Sequence, residues 1–214
     1  MLLREDYLSK IRGFYDSDLI KILVGIRRCG KSVILNQIIE ELKEKSKIDE
    51  EHIIFINFEF IEFEELLDYK KLNKYIKDKI SDNKTYYLFL DEIQNVDNFE
   101  KVVNSLRASI KNISIFLTGS NSKMLSDELS SVLSGRYVLF NINPLSYKEY
   151  VSLTNKDGKD LNTFWNYAKW GGLPNRCEFT NEIDIKNYLH SVYDSIILRD
   201  VVKRLNLKDT VLFD

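Results

Sequence analysis

The stretch Gly25-Ile26-Arg27-Arg28-Cys29-Gly30-Lys31-Ser32 meets every fixed position of the pattern GxxxxGK[ST]. Its chemistry is that of a phosphate cradle. Glycines let the backbone curl so that successive N–H groups face phosphate oxygens, and a helix opening where the loop ends adds its partial positive charge. Lys31 would reach the β and γ phosphates, and the Ser32 hydroxyl would ligate the magnesium that a triphosphate brings. The expected ATP- and Mg2+-binding segment is therefore Gly25, Ile26, Arg27, Arg28, Cys29, Gly30, Lys31, Ser32 and Val33. Arg27 and Arg28 stand at variable positions of the pattern, where solvation accounts for them as well as phosphate contact does. Cys29 is read as a bystander thiol near a helix N-terminus.

A second group of residues supplies carboxylates. Tyr86 to Leu90 is an apolar run ending in Asp91-Glu92, the arrangement in which the first acid holds magnesium and its neighbour orients and polarises an attacking water. Asp91 is thus the metal candidate and Glu92 the catalytic one, assisted by Lys31. Enzymes that hand phosphate to a bound acceptor need no water activator, so Glu92 favours hydrolysis over kinase chemistry. A third run, Ile115 to Leu117, ends in Thr118-Gly119-Ser120-Asn121. A polar sensor of the γ-phosphate is expected there, at Ser120 or Asn121, with Thr118 as a further candidate; an ordinary strand-end turn explains the same residues.

These groups need a scaffold that brings distant segments to one edge. Apolar runs at Ile22 to Val24, Ile53 to Ile56, Tyr86 to Leu90, Ile113 to Leu117 and Val138 to Phe140 are continuous rather than alternating, as in strands buried on both faces. Between them lie helical stripes: Leu35, Ile38, Ile39 and Leu42; Phe99, Val102, Val103 and Leu106; Leu125, Leu129, Val132 and Leu133. Right-handed crossovers then give an α/β fold, a doubly wound parallel five-stranded P-loop NTPase sheet with ligands at the carboxyl ends of its strands. In the additional-strand layout, the Ile113 strand lies between the phosphate-loop strand and the Asp91 strand.

The pattern changes after Phe140. Ser146 and Glu149 form a capping-box signature just past Pro144, and helices are expected over Leu161 to Trp170 and Ile183 to Leu205, separated by the turn GGLP at Gly171 to Pro174. The expected division is a nucleotide-binding core at 1–143, a helical lid subdomain at 144–205 and, at 206–214, the start of a further domain.

Composition is that of an ordinary globular protein, 44% hydrophobic and 30% charged. A net charge of −2 carries no overall electrostatic footprint for nucleic acid. Cys29 and Cys177 belong to no CxxC pair, which argues against zinc-finger or disulfide frameworks. With charges among the first six residues and no apolar run of spanning length, a cytoplasmic protein without membrane attachment is expected.

Taken in order, GIRRCGKS, YLFLDEIQNV, LTGSNSKML, LSGRY, NPLSYKEY, GGLP and ILRDVVKR resemble the prokaryotic AAA-superfamily ATPases that carry a C-terminal domain of uncharacterised function, related to archaeal and origin-recognition ATPases. The resemblance runs across nearly the whole chain. It implies Mg-ATP binding and hydrolysis coupled to a conformational change on a protein or DNA partner, at least transient homo-oligomers, and further chain beyond the equivalent of Asp214. It also implies that Arg136 is an arginine finger, against the simpler reading of a surface arginine. For the second, lid-borne sensor both Arg176 and Arg199 are conceivable. A nucleotide-gated binding switch with little steady-state hydrolysis is the alternative function.

Overall fold

The computed structural model describes residues 2–119, 133 and 135–196. Its elements in chain order begin with α1 (Glu5–Arg12), β1 (Ile20–Val24), α2 (Lys31–Glu44), β2 (Ile53–Asn57), α3 (Tyr69–Lys79) and β3 (Tyr86–Asp91). There follow α4 (Phe99–Ser109), β4 (Ile113–Gly119), β5 (Tyr137–Asn141), α5 (Tyr147–Thr154), α6 (Leu161–Trp170) and α7 (Glu182–Ile196).

The five strands form one sheet in the order β2-β3-β4-β1-β5, with every pairing parallel. This is the doubly wound additional-strand α/β fold, with β4 between β1 and β3. Because side chains alternate along a strand, each strand feeds two cores. Ile22, Val24, Leu88, Leu90, Ile115 and Leu117 pack with Leu72 and Ile76 of α3 and Phe99, Val102, Val103 and Leu106 of α4. The alternate positions form the other face, where Phe89 stacks on Phe116 at 4.6 Å and Tyr15 meets Phe116 edge-on at 6.0 Å. Tyr15 in turn donates to Glu41 of α2 at 2.8 Å, which ties the α1–α2 layer together on that face. The apolar stripes of α2 and α4 are buried at every residue named for them. Of the third stripe only Leu133 is described, and it is fully buried; Leu125, Leu129 and Val132 lie outside the described residues.

Contacts divide the chain into two compact units. One comprises Leu3–Ile26 and Gly30–Ile142; the other comprises residues 143–196 with Leu2 and Arg27–Cys29. In the second unit, Ser146 accepts from the Glu149 N–H while the Glu149 carboxylate accepts from the Ser146 N–H at 2.8 Å, a complete capping box that starts α5. Asp160 caps α6 by accepting from the N–H groups of Asn162 and Thr163. Gly171 ends α6 at φ +72, and a Cβ on Gly172 would lie 2.1 Å from the Leu145 carbonyl oxygen, so this turn requires its glycines. Arg176 is 2% exposed, donates to the Asn166 carbonyl and side chain at 2.8 and 2.7 Å, and stacks 5.0 Å from the Tyr150 ring. Its guanidinium is used to hold the helical unit together. The part of the last expected helix beyond Ile196, with Arg199, lies outside the described residues. Among the described residues no helix is long and apolar enough to cross a membrane.

Candidate nucleotide site

The carboxyl ends of β1 to β4 deliver Val24, Asn57, Asp91 and Gly119 to one edge of the sheet. From Val24 the chain enters the loop Gly25 to Gly30, in which Arg28 (φ +64) and Gly30 (φ +100) are left-handed. Gly30 occupies the N-cap of α2 and supplies no side-chain cap, so the N–H groups of Lys31, Ser32 and Val33 begin the helix without intrahelical acceptors. That is the backbone arrangement a phosphate satisfies. Gly25 and Cys29 are buried, Ile26 and Arg28 exposed, and Arg27, Ser32 and Val33 between these extremes. Lys31 is 4% exposed and donates from Nζ to the carbonyls of Gly25 (3.1 Å) and Ile26 (3.3 Å), with Glu92 Oε1 3.8 Å away.

Asp91 is fully buried at the end of β3. The Thr118 hydroxyl donates to its Oδ1, the Asn57 amide donates to its Oδ2 at 3.0 Å, and Ser32 hydrogen-bonds to it as well. Burial pushes its carboxyl above the ordinary value, and the Glu92 charge adds to this, against the hydrogen bonds from Thr118 and Ser32 and the charge of Lys31. A buried, oxygen-rich carboxylate next to a serine hydroxyl is a donor set that suits Mg2+, whose charge would offset the desolvation. The residues present therefore fit Mg-ATP: the α2 N-terminus and Lys31 for the phosphates, Ser32 and Asp91 for the metal.

Glu92 follows in a left-handed conformation (φ +54), which turns its side chain out of the strand's alternation. Its N–H donates to Thr118 Oγ1 at 2.9 Å, and Gln94 Nε2 donates to its Oε2. The Thr118 hydroxyl thus bridges both acids, accepting from one residue's backbone and donating to the other's side chain. Ser120 and Asn121 lie outside the described residues.

Arg136 stands at the other end of the sheet. It precedes β5, its carbonyl accepts from the Ile20 N–H at the amino end of β1, and its guanidinium donates to Asn104 Oδ1 at 2.9 Å. The structure therefore gathers Lys31, Ser32, Asp91, Glu92 and Thr118 into one cluster and places Arg136 apart from it. Three participants went unread in the sequence. Asn57 is the polar residue closing the apolar run of β2, a signal parallel to Asp91 closing β3. Gln94 lies two residues past Glu92. Arg4, 3% exposed, places Nη1 3.5 Å from where a Cβ of Gly30 would stand, and nothing in its local sequence marks it.

The AAA domain model matches residues 17–151. An uncharacterised protein of Haemophilus influenzae is 39% identical over 98% of this chain and 53% of its own length. An uncharacterised protein of Methanocaldococcus jannaschii is 36% identical over 89% of this chain and 43% of its own. The chain spans about half the length of these relatives. Among solved structures, AMPPCP-bound DnaA from Aquifex aeolicus is similar at a TM-score of 0.53 and 16% identity, over 98% of this chain and 68% of that one. That similarity is one of fold.

Proposed function

We propose that this chain, which belongs to the AAA domain family, binds Mg-ATP at the carboxyl edge of its sheet and hydrolyses it, coupling nucleotide state to a protein or DNA partner. The observation that carries the reading is the cluster around Asp91. Three side chains from three other segments, Ser32, Asn57 and Thr118, converge on this one buried carboxylate, and Lys31 lies beside its neighbour Glu92.

In this reading Lys31 and the N–H groups of Lys31 to Val33 hold the phosphates. Ser32 and Asp91 would hold Mg2+, which would supply charge neutralisation to the phosphates. Thr118 fixes the orientation of Asp91 while anchoring the Glu92 backbone. Glu92 polarises the attacking water with the oxygen that Gln94 leaves available, and its carboxylate accepts the proton. Arg136, on the far edge, would act on a neighbouring copy's nucleotide in an assembly. A cytoplasmic setting belongs to the same proposal.

One observation favours the alternative of a slow switch: Gln94 engages one Glu92 oxygen and Lys31 lies 3.8 Å from the other. With one oxygen bonded by Gln94 and the other held beside the Lys31 charge, the base would be less ready to take a proton until these contacts are released.

Thermal denaturation with and without Mg-ATP, followed by a steady-state assay, tests the proposal. Binding should raise stability by about 2.7 kcal/mol at a nucleotide concentration a hundredfold above Kd, and Lys31→Ala should remove most of that gain. Glu92→Gln should retain the shift and lose turnover. Absence of any shift with saturating ATP, ADP or GTP would sink the proposal. Tight binding with negligible turnover, relieved by Gln94→Ala, would favour the switch.

A further inference from the structure

The amino edge of the sheet carries a second cluster of ligating side chains. A short helical turn, Glu50–His52, leads into β2, and it brings Asp49, Glu51 and His52 together with ligand atoms all within 4.8 Å of one another. Parallel strands put this cluster at the opposite end of the sheet from Lys31 and Asp91.

His52 is only 2% exposed, although the two acids beside it are open to solvent. Its ring packs on Tyr86 with centroids 4.9 Å apart. Nε2 lies 3.0 Å from Asp82 Oδ2 in the turn before β3. An Asp82 carboxylate at this distance can only accept. Nε2 therefore carries the proton, and in the neutral ring the lone pair sits on Nδ1. That nitrogen faces Glu51 Oε1 at 3.8 Å and Asp49 Oδ2 at 3.9 Å. It has no hydrogen-bond partner among the described residues. An unprotonated Nδ1 beside two carboxylates is a repulsive arrangement, and a bound cation turns it into an attractive one.

We propose that Asp49, Glu51 and His52 form a site for a divalent transition metal of the zinc class, with Asp82 orienting the imidazole. A carboxylate on the far nitrogen of a ligating histidine fixes the tautomer and raises the ring's basicity, the usual support for such ligands. One imidazole with two carboxylates suits Zn2+ and its neighbours, whereas Mg2+ and Ca2+ take oxygen ligands alone. Bonds of 2.0–2.2 Å in a tetrahedral site set the ligand atoms about 3.4 Å apart, so the separations from His52 must close by roughly half an ångström and that between the two carboxylates by at most about 1.4 Å. The Asp49 and Glu51 side chains, 64% and 74% exposed, are free to make that adjustment while the buried ring stays in place. Lys84 Nζ, 3.4 Å from Asp49 Oδ2, already places positive charge at the rim and would give way to the ion. The bound metal would tie the start of β2 to its preceding turn and stabilise this edge of the sheet.

Calorimetric titration of the metal-free chain with Zn2+, in the absence of nucleotide and magnesium, tests the proposal together with the melting temperature. One equivalent should bind and raise the melting temperature. The double variant Asp49→Asn with Glu51→Gln alters exposed side chains and should bind at least tenfold more weakly. His52→Gln should abolish binding, and the double variant carries the test alone if that substitution prevents folding. His190→Gln, at the other, exposed histidine, should bind as the wild type does. The proposal is overturned if the wild type takes up no zinc, if the double variant binds it as tightly as the wild type, or if loss follows His190→Gln.

Discussion

The Asn57 amide donates to Asp91 Oδ2 at 3.0 Å across the very rung on which β2 and β3 pair these two residues. Asn57 is itself fixed, because its Oδ1 accepts from the Glu59 N–H at 2.9 Å. With Thr118 on the other oxygen, the Asp91 carboxylate is clamped from both flanking strands before any ligand arrives. Pre-organisation of this kind fixes the carboxylate in position for a metal.

Asp91→Asn should therefore move two measurements in opposite directions. Burial raises the folded pKa of Asp91 above its unfolded value, so the folded state binds more protons and ionising this group costs stability as pH rises. Removing the charge should raise the melting temperature of the nucleotide-free protein at pH 7, with the gain shrinking towards pH 4. The same variant should weaken the magnesium dependence of ATP binding. A variant that is less stable at neutral pH would contradict the burial argument.

Arg136 is expected to matter only in an assembly. Its guanidinium is exposed and bonded to Asn104 at the amino edge of the sheet, away from its own Lys31 and Asp91. If it completes a neighbour's site, Arg136→Ala should lower turnover by about 10³ to 10⁵ while leaving ATP binding unchanged. Mixing Arg136→Ala with Lys31→Ala subunits should then recover some activity. Full activity of Arg136→Ala alone would leave it a surface arginine.

Glu41 is a stability determinant outside the site. Burial alone would raise its pKa, but hydrogen bonds from Arg12, Lys45 and Tyr15 bring it down to about 2. A depressed acid stabilises the fold above its unfolded pKa of 4.5, and that contribution is lost as pH falls towards 2. Glu41→Gln should cost about 2 kcal/mol at pH 7 in a denaturant titration, with the difference from wild type shrinking below pH 4.5 and vanishing only once the pH has fallen through about 2.

Lys21 should give a slope of the same sign at higher pH, but from a group that costs stability when charged. Its Nζ is buried over the Phe116 ring and donates to Ser114 Oγ at 2.8 Å and the Ser17 carbonyl at 3.1 Å. Burial lowers its pKa from 10.5 to about 7, with Asp16 and Asp18 opposing. Between those values the unfolded chain holds a proton that the folded chain releases, so this group makes stability rise with pH from 7 to 10.5. Lys21→Met keeps the volume and cannot titrate. Subtracting its denaturation midpoints from those of the wild type across pH 6 to 10 should isolate that slope; parallel curves would show that the amine stays charged.

How much of this was legible before folding follows from the range of each signal. The phosphate loop, the Asp91-Glu92 pair, the capping box of α5 and the stripes of α2 and α4 all depend on residues within one or two turns of each other. Their spacing along the chain is their spacing in space, so sequence alone determined them and, through the continuous apolar runs, the parallel sheet. α1 and α3 bury only two helical side chains each, Leu8 with Ile11 and Leu72 with Ile76, too few to stand out as a stripe. The partners of Asp91 come from 34 and 27 residues away, and no local period encodes that Asn57 and Thr118 will flank it. Thr118 stood in the sequence as a candidate sensor beside a phosphate; in the fold its hydroxyl is engaged between Asp91 and the Glu92 N–H. The left-handed turn at Glu92, the burial of Lys21 and the meeting of His52 with Asp82 were likewise decided by tertiary structure. Strand order and register choose which strand-end side chains become neighbours, and that choice rests on burying both faces of the sheet at once rather than on any residue's own surroundings in the chain.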